Sequence, residues 1–559
     1  MSAALPRKEP LRVLMLAQAA GRGSRSAPYG AGRVLAALKA GLGASVDTLL
    51  INAYPGDGPE ELAAKVAAFK PQLLGLSLYL WNRKELVHTA ALARAALPGL
   101  LVVAGGPEAS AAPRSMLAES AVDIVVQGEG EEALLELCRQ LIAEPGAVPR
   151  AGIRSALVRD LAALPSPWLD GTLDPTAYGG AAVELTRGCP YRCAFCYESK
   201  GDARLRRFPL AGLKEELKRF QAAGVGEVFV LDPTFNASAE HLKEAVAAMR
   251  QAGPDLRYYL ELRGELVDRG QARLLATIDC SLQIGLQSAD PAVLAGVGRN
   301  LDPKRFAKAM RILEEEGLLY GLDLIYGLPS DSLEGFKKSL DYALALGPNH
   351  MDIFRLAVLP GTALYDRAAE LGLAHENEPP YLVRSAPGFP ASDIDRAEAL
   401  AEAGEQFYNK GRAVMWFRPL AEALGQRPSR ILEAWADYAR GRAKPGELAG
   451  LEHAALEEHI VAFTQAYLEK DGSKKSAALA LAASELIRVS GAWTRALAEG
   501  ETTRLELSWD PEDILDYAPA GLRDFAGEGK EQGGWLCEPS TEGPRFRKAA
   551  MKGGGSRHR

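Results

Sequence analysis

The chain has 559 residues, of which 47% are hydrophobic and 25% are charged, and its formal net charge is -7. At roughly 150 residues per domain, this length predicts about three domains with substantial cores. The acidic balance offers no general attraction to phosphate backbones, so we expect no nucleic-acid partner. The apolar run near the N-terminus is too short for a signal peptide or a membrane span, and six cysteines make no disulfide framework in so long a chain. We therefore expect a cytoplasmic protein without a membrane partner.

The first part of the chain alternates short apolar runs with helical stretches. The runs are RVLML, SVDTLLI, LLGLSLYL, LLVVAGG and DIVVQGEG. Such strands, apolar on both faces, are typical of a parallel sheet built from βαβ units. We predict an α/β domain of flavodoxin-like (Rossmann-type) fold over residues 1–145, with its ligand edge at the carboxyl ends of the strands. Prolines crowd the next stretch and predict a linker over residues 146–180.

A second alternation begins at Ala182 and runs to about Leu373. Its strands are predicted at AAVELT, EVFVLD, RYYLEL, SLQIGLQ, LYGLDLIYG and DIFRLAV. Six βα units in series predict a partial (β/α)6 TIM barrel over residues 181–375, with functional loops at the carboxyl ends of the strands. The later sequence is rich in Ala, Glu and Leu at helical spacing, which predicts a helical C-terminal domain over 376–525. The basic, Gly-rich end predicts a disordered tail over 526–559.

Half of the cysteines crowd into one short segment after the first predicted barrel strand. They are Cys189, Cys193 and Cys196, in RGCPYRCAFC. Iron–sulfur clusters are held by thiolates, and their ligand spacing is the signal for them. Zinc is the weaker interpretation because zinc sites usually close four ligands, and no further Cys or His follows nearby. A purely structural role for the three thiols is the remaining alternative.

This segment resembles the radical S-adenosylmethionine (radical SAM) superfamily, whose CxxxCxφC loop is matched by Cys189, Cys193, Phe195 and Cys196. The resemblance implies that the three cysteines bind a 4Fe-4S cluster and that SAM chelates the fourth iron. It also implies that an electron donor such as flavodoxin or ferredoxin drives cleavage of SAM to methionine and a 5'-deoxyadenosyl radical. The hard chemistry would then belong to the cofactors, and the protein would orient and shield them.

The resemblance extends over the predicted barrel and implies further contacts to SAM. Asp232 and Thr234 lie in VFVLDPTFN, where the family usually has a Gly-Gly-Glu motif, and a strand-to-helix cap is the alternative role. Glu261 and Arg263 share one face of the third strand, where an internal ion pair is the alternative. The full set of implied SAM-binding residues is Phe195, Asp232, Thr234, Glu261, Arg263, Gln287 and Ser288.

The first predicted domain resembles the cobalamin-binding domain that precedes many radical SAM barrels. The matching pieces are APYGAGRVLAAL, FKPQLLGLSLYLWN, VVAGGPEAS and DIVVQGEGEEAL. Small residues after the strands let the backbone approach a bulky ligand closely. The resemblance, with the aromatic residues that follow the third strand, implies a cobalamin site formed by Ser77, Tyr79, Trp81, Gly105, Gly106, Gly128 and Glu129.

One departure concerns the cobalt ligand. Many cobalamin domains carry a His in a DxHxxG loop after the first strand, but the stretch MLAQAAGRGSRSAPYG contains none. We therefore expect cobalamin to bind without a protein His beneath the cobalt, in a His-off state. Tyr79 and Trp81 are predicted to cover that lower face, with sheet-to-helix packing as the alternative. His88 is predicted to lie within the following helix.

These features favour a cobalamin-dependent radical SAM enzyme. The resemblance implies a methyltransferase that acts on an unactivated carbon through methylcobalamin and a 5'-deoxyadenosyl radical, with a small molecule or a peptide as substrate. An enzyme with both cofactors that performs a cyclisation, oxidation or rearrangement is the first alternative. A cobalamin or redox sensor with a non-catalytic cluster is the second. The sequence names neither the substrate nor the oligomeric state.

Overall fold

The computed structural model describes residues 9–21, 27–144, 152–198, 204–442, 447–469 and 473–549. The chain divides into two compact units. The first comprises Met1–Ile284, Ala295–Leu318 and Leu356–Pro387, and the second comprises Gly285–Leu294, Leu319–Arg355 and Gly388–Arg559. Within the described ranges, no helix is both long and apolar enough to cross a lipid bilayer.

The first part of the chain forms a six-stranded parallel sheet with helices between its strands. The strands are β1 (Leu11–Gln18), β2 (Val46–Ala53), β3 (Leu73–Ser77), β4 (Leu101–Gly105), β5 (Ile124–Gly128) and β6 (Gly152–Ala156). The helices are α1 (Tyr29–Leu42), α2 (Pro59–Phe69), α3 (Arg83–Ala96), α4 (Pro107–Ala111), α5 (Pro113–Leu117) and α6 (Gly130–Ala143). The strand order β2-β1-β3-β4-β5-β6 is that of a flavodoxin-like sheet, which confirms the predicted fold class.

Both faces of this sheet are buried, which explains its apolar strands. Leu14 and Leu16 of β1 belong to one apolar cluster, whereas Val13 and Met15 belong to another. Successive side chains of a strand point to opposite faces, so the two clusters lie on the two sides of the sheet. The sixth strand, β6, lies in residues that the sequence analysis assigns to a linker. It pairs in parallel with β5, and its run GIRSA is too short and too polar to signal a strand.

The predicted barrel region contains all six of its expected strands. The strands are β7 (Gly180–Val183), β8 (Thr186–Arg187), β9 (Arg206–Arg207), β10 (Glu227–Val230), β11 (Arg257–Leu262), β12 (Cys280–Gln287), β13 (Leu319–Tyr326) and β14 (His350–Arg355). The helices are α7 (Leu210–Ala222), α8 (Ala239–Ala252), α9 (Arg269–Leu275), α10 (Pro291–Gly296), α11 (Pro303–Glu315), α12 (Leu333–Ala345) and α13 (Ala363–Asp366). In the first unit, β7, β10, β11 and β12 are parallel neighbours in this order, and β8 pairs antiparallel with β9. In the second unit, β13 and β14 are parallel neighbours.

The remaining elements follow the barrel strands. An antiparallel pair, β15 (Ala374–His375) and β16 (Val383–Ser385), belongs to the first unit. The second unit contains α14 (Ala391–Ala403), α15 (Phe417–Leu424), α16 (Pro428–Arg440), α17 (His453–Leu468), α18 (Lys474–Glu499), α19 (Pro511–Tyr517) and α20 (Leu522–Phe525). Its helices pack around an aromatic core in which the ring of Phe407 lies 5.1 Å from that of Trp435 and 5.6 Å from that of Phe463. The predicted helical region is therefore present.

The predicted tail requires a correction. Strands β17 (Thr503–Leu507), β18 (Gly533–Glu538) and β19 (Arg545–Ala549) form an antiparallel sheet, so residues 533–549 are structured. Trp535 and Cys537 of β18 are buried, and this buried face outweighs the basic, Gly-rich composition on which the prediction rested. The rest of the predicted tail, from residue 550 onward, lies outside the described residues. The predicted domain boundaries stay a prediction.

Candidate functional site

The three cysteines lie in a loop at the carboxyl end of the first barrel strand, directly after β8. Cys189 is buried, Cys193 and Cys196 are half-buried, and all three are free thiols. The amide of Ala194 donates to the carbonyl of Val297 at 2.8 Å, and its carbonyl accepts from the amide of Leu364 at 2.8 Å. The middle of the loop is thus held on both sides by segments that lie more than a hundred residues later in the chain.

A glycine next to Val297 makes this close approach possible. Gly298 has φ of +73°, and a Cβ built on it would lie only 2.8 Å from the carbonyl oxygen of Arg192. Both the backbone conformation and the lack of space exclude a side chain at this position. The sequence analysis did not identify Gly298, because nothing local in VGR reveals a contact made so far away along the chain.

The three thiols are not arranged as a site for a single metal ion among the described residues. Burial is the main cause that raises the pKa of Cys196 to about 11, and the charge of Glu198, followed by those of Cys193 and Cys189, adds to this rise. Within the described ranges, no three His, Cys, Asp or Glu side chains converge tightly enough to hold one metal ion. A cluster binds each thiolate through a different iron and therefore needs no such convergence. Because metal ligands must be thiolates, cluster binding would displace the three protons.

Asp232 stands beside the start of this loop, after β10. One carboxylate oxygen accepts from the amides of Leu185 and Thr186 at 2.8 and 2.9 Å, and the other accepts from the Thr186 hydroxyl at 2.8 Å. Burial raises the pKa of Asp232 to about 6, although these hydrogen bonds oppose the rise. The side chain therefore fixes the turn between β7 and β8 and is not the helix cap given as the alternative, whereas its contact with SAM stays a prediction. Thr234 donates to the carbonyl of Pro233 at 2.6 Å.

The two residues predicted on the third strand differ in their surroundings. Glu261 is exposed, whereas Arg263 is buried and reaches the cysteine loop. The guanidinium of Arg263 stacks on the ring of Tyr191, 3.7 Å from the ring centre, and one of its N–H groups points toward the Cys193 sulfur at 4.0 Å. Arg263 forms an ion pair with Glu265, so an internal ion pair, which the sequence analysis gave as the alternative role, is present at Arg263.

Gln287 and Ser288 belong to the second unit. Gln287 ends β12 with φ of +67°, and its buried side-chain oxygen has no hydrogen-bond partner among the described residues. The hydroxyl of Ser288 lies 3.3 Å from that of Ser339 and accepts from the amide of Asp290 at 3.1 Å. Phe195 is half-buried between Cys193 and Cys196. None of these positions decides whether SAM binds there, so the SAM contacts stay predictions.

A cavity of about 790 Å³ opens in the first unit, at the carboxyl edge of the first sheet. Gly30 of α1, Gly75 of β3 and the glycine turns after β4 and β5 bring backbone to its wall. A Cβ on Gly75 would lie 2.2 Å from the sulfur of Met15, so a side chain here would force Met15 to move. Six of the seven predicted cobalamin residues line the cavity: Ser77, Tyr79, Gly105, Gly106, Gly128 and Glu129. A wall of small residues suits a bulky ligand, so the cavity fits the predicted cofactor.

Tyr79 and Trp81 form a stacked pair, with ring centres 4.4 Å apart. Tyr79 lines the cavity, whereas Trp81 lies behind it and donates its indole N–H to the carbonyl of Gln18 at 3.1 Å. Asn82 is fully buried and fixes this loop, because its side-chain oxygen accepts from the Tyr79 amide at 2.8 Å and its nitrogen donates to the Ser77 carbonyl at 3.1 Å. The sequence did not reveal this role of Asn82, because its position just before α3 is the only local sign of it.

The other side of the cavity carries an ion-pair network. Arg187 contacts Glu131 at 2.6 Å and Glu184 at 2.8 Å, and Arg206 forms a hydrogen-bonded ion pair with Glu129. Burial raises the pKa of Glu129, but the two arginines outweigh burial and hold it below its ordinary value. The Glu129 carboxylate is therefore paired with arginines of the chain. Its position in the cavity wall is the feature that agrees with its predicted role in cobalamin binding.

The residues at the far end of the cavity come from the cysteine loop itself. Gly188 and Tyr197, which flank Cys189 and Cys196 in sequence, line the cavity together with Ser77 and Gly105. Among the described residues that line it, none is a histidine. His88 is exposed on α3 and does not line the cavity. Residues 22–26, which fall in the stretch expected to lack a cobalt ligand, lie outside the described residues.

The chain combines a doubly wound sheet, which has a glycine-lined cavity, with parallel βα units, which have a three-cysteine loop after their first strand. This combination is typical of a class of proteins that use two cofactors. Residues 19–138 match the family model of the B12 binding domain, and residues 183–343 match that of the Radical SAM superfamily. The chain thus contains a B12-binding domain and a radical SAM domain, which take cobalamin, SAM and a 4Fe-4S cluster.

Curated relatives share both regions. The chain is 30% identical over 383 residues to the 2-(S-pantetheinyl)-carbapenam-3-carboxylate methyltransferase of Streptantibioticus cattleyicolor, spanning 62% of this chain and 55% of the relative. It is 27% identical to the cobalamin-dependent radical SAM methyltransferase TokK of Streptomyces tokunonensis, spanning 64% of this chain and 58% of TokK. The chain therefore spans little more than half the length of these relatives.

Solved structures show the same fold. The cobalamin-dependent SAM radical enzyme OxsB, with aqua-cobalamin and SAM bound, matches 93% of this chain and 84% of its own at a TM-score of 0.59 and 14% identity. The radical SAM methyltransferase TsrM of Kitasatospora setae, with cobalamin and a 4Fe-4S cluster bound, matches 78% of this chain and 100% of its own at a TM-score of 0.56 and 19% identity. At these identities the likeness concerns the fold alone.

Proposed function

We propose that the protein is a cobalamin-dependent radical SAM methyltransferase that acts on an unactivated carbon. The single observation that carries this proposal is the composition of the cavity wall. Ser77 and Gly105 of the first sheet and Gly188 and Tyr197 of the cysteine loop line one cavity within one compact unit. A cofactor in the first domain would thus lie next to a cofactor on the cysteines, as transfer between them requires.

The proposal assigns residues to each cofactor. Cys189, Cys193 and Cys196 would be the ligands for the cluster, and the glycine turns after β4 and β5, which line the cavity, would receive cobalamin. When bound, the cluster and SAM supply radical chemistry and cobalamin supplies a methyl carrier. The chain itself orients these groups: Asp232 fixes the turn before Cys189, and Asn82 fixes the loop that presents Tyr79 to the cavity.

The relatives favour methyl transfer over the rival chemistry. The two described above are both named methyltransferases, and the chain aligns with more than half of each. The rival reaction, a cyclisation, is supported by the similarity of the chain to the anaerobic magnesium-protoporphyrin IX monomethyl ester cyclase of Cereibacter sphaeroides. The two are 24% identical over 336 residues. A substrate for either reaction enters from outside the chain, and we propose a small molecule rather than a peptide, with flavodoxin or ferredoxin as electron donor. The free thiols of the described cysteines suit the reducing cytoplasm.

The first test removes the cluster ligands. Anaerobically isolated protein should carry about four irons per chain and convert SAM to 5'-deoxyadenosine when reduced. Cys189→Ala, Cys193→Ala and Cys196→Ala should each abolish this conversion, whereas Cys280→Ala should preserve it. Iron analysis and chromatographic assay of 5'-deoxyadenosine measure both effects. Conversion retained in the triple cysteine variant would rule out the assignment.

The second test concerns cobalt. We propose that cobalamin is bound His-off, with Tyr79 at its lower face, since the described cavity wall contains no histidine and His88 lies on the exposed side of α3. Without a nitrogen ligand, the cobalt centre is easier to reduce, because axial ligation tunes metal electronics. Electron paramagnetic resonance of the Co(II) protein should show no nitrogen superhyperfine splitting, and His88→Ala should leave the spectrum unchanged. A nitrogen triplet that disappears in His88→Ala would contradict the proposal.

A further inference from the structure

Arg263 makes contacts with the cysteine loop that the proposed function does not use. It follows β11 and is 9% exposed. Its amide donates to the side-chain oxygen of Asn236 at 2.9 Å, and the Asn236 nitrogen donates to its carbonyl at 3.1 Å. The backbone of Arg263 is therefore fixed on both sides, and its side chain leaves the strand from a defined point.

Three groups then fix the guanidinium. Its Nε donates to Glu265 Oε1 at 2.7 Å, and its Nη2 donates to the same oxygen. Its face lies on Tyr191, with Cζ 3.7 Å from the ring centre. These contacts leave Nη1, which points toward Cys193 Sγ at 4.0 Å. The planar guanidinium can make all three contacts at once, which a lysine could not.

Arg263 carries a charge that does not depend on its surroundings, because a guanidinium is not deprotonated in proteins. The carboxylate of Glu265 lies on one side of it, and the sulfur of Cys193 lies on the other. A permanent positive charge with an N–H group thus faces the second cysteine of the loop. Hydrogen bonds and charges next to ligand sulfurs are the means by which proteins set the potential of an iron–sulfur cluster.

We propose that Arg263 is a positioning residue for Cys193, which it serves by donating to the cysteine sulfur and stabilising the reduced cluster. Reduction adds negative charge to the cluster and its thiolates, and a donor fixed by Tyr191 and Glu265 favours that charge without having to move. This inference rests on the proposed cluster. It assigns to Arg263 a contact with the ligand sulfur, whereas the sequence predicts a contact with SAM.

The test is a redox titration of the cluster in the full-length protein without SAM, followed by electron paramagnetic resonance. Arg263→Met keeps an unbranched stem but has neither charge nor donor. We expect the ratio of reduced to oxidised cluster at a fixed potential to fall about tenfold, which corresponds to about 59 mV for a one-electron couple. Glu265→Gln removes a negative charge from the same cluster of groups and should shift the potential in the opposite direction.

Shifts of the cluster potential in opposite directions in Arg263→Met and Glu265→Gln would distinguish an electrostatic role of Arg263 from a structural one. A merely structural Arg263 would lower iron content in both variants without a shift of opposite sign. If Arg263→Met binds no cluster, Arg263→Lys restores the charge without the fixed donor, and its potential should lie below that of the wild type, because a lysine cannot make all three contacts at once. A full cluster with unchanged potential in Arg263→Met would overturn the inference. A wild-type protein that binds no cluster would instead overturn the proposed function.

Discussion

Asp232 fixes the backbone at the start of the cysteine loop. Its carboxylate accepts three hydrogen bonds from Leu185 and Thr186, four residues or fewer before Cys189. The family resemblance implies that Asp232 contacts SAM, and it gives no indication of these hydrogen bonds to the neighbouring backbone. A side chain's hydrogen-bond partners depend on packing between strands, which a single sequence does not contain.

Replacing Asp232 separates these hydrogen bonds from its charge. Asp232→Ala leaves the amides of Leu185 and Thr186 buried without an acceptor, at about 1–3 kcal/mol each, so we expect the free energy of unfolding to fall by roughly 2–4 kcal/mol. Asp232→Asn keeps an oxygen acceptor for both amides, so its free energy of unfolding should fall by less. Denaturant unfolding measures both variants. Equal losses in the two would show that the acceptor oxygen is unimportant.

The same residue predicts a dependence on pH. Burial raises the pKa of Asp232 from 3.8 to about 6, so the folded protein binds this proton more tightly than the unfolded chain. Its contribution to stability is therefore fully present below pH 3.8 and is lost as pH rises through about 6. The unfolding free energy of Asp232→Asn relative to wild type should thus increase across this interval, as measured by denaturant unfolding at several pH values. A difference that is constant with pH would contradict the assignment.

At the scale of elements, the cysteine loop depends on the segment between α10 and α11. Gly296, the last residue of α10, and Gly298, which follows shortly after it, offer a matched comparison. Gly298→Ala would place a Cβ 2.8 Å from the Arg192 carbonyl at a φ of +73°, whereas a Cβ on Gly296 meets nothing within 4 Å. A non-glycine residue in the left-handed region costs about 1–3 kcal/mol, and here the clash acts directly on the loop.

We therefore expect Gly298→Ala to lose iron and Gly296→Ala to retain it. The cysteine loop must shift away from the new methyl group, which moves the thiols relative to one another. Iron content of anaerobically purified protein measures the effect, and the unfolding temperature of each variant serves as the control for global stability. Full iron occupancy in Gly298→Ala, or equal loss in both variants, would show that this segment does not position the loop.

The two glycines also show where sequence reasoning reaches its limit. Repeating apolar runs predict the strands of the first sheet and of the barrel, because burial on both faces leaves a pattern within each strand. The spacing of Cys189, Cys193 and Cys196 identifies the loop for a similar reason. The contacts of Gly298 and Arg263 with that loop join positions that are distant in sequence, and no local pattern marks them. The buried face of β18 is likewise hidden in the sequence by the polar composition around it.

At the scale of the whole molecule, the proposal depends on two cofactors that act in one place. The first domain and the cysteine loop contribute residues to a single cavity within the first unit, and the two family models match these two parts of the chain. A sensor would need neither this shared wall nor a site for a second substrate. A cyclase or an oxidase would share both cofactors, so the fold alone does not separate it from a methyltransferase.

The most direct test follows the methyl group of SAM. Anaerobic protein that carries both iron and cobalamin is reduced and incubated with methyl-labelled SAM, and S-adenosylhomocysteine and 5'-deoxyadenosine are measured together. We predict that S-adenosylhomocysteine forms in an amount close to that of bound cobalamin even without a substrate, because methyl transfer from SAM precedes transfer to carbon. Formation of 5'-deoxyadenosine and methionine with no S-adenosylhomocysteine would contradict the account and establish the rival chemistry.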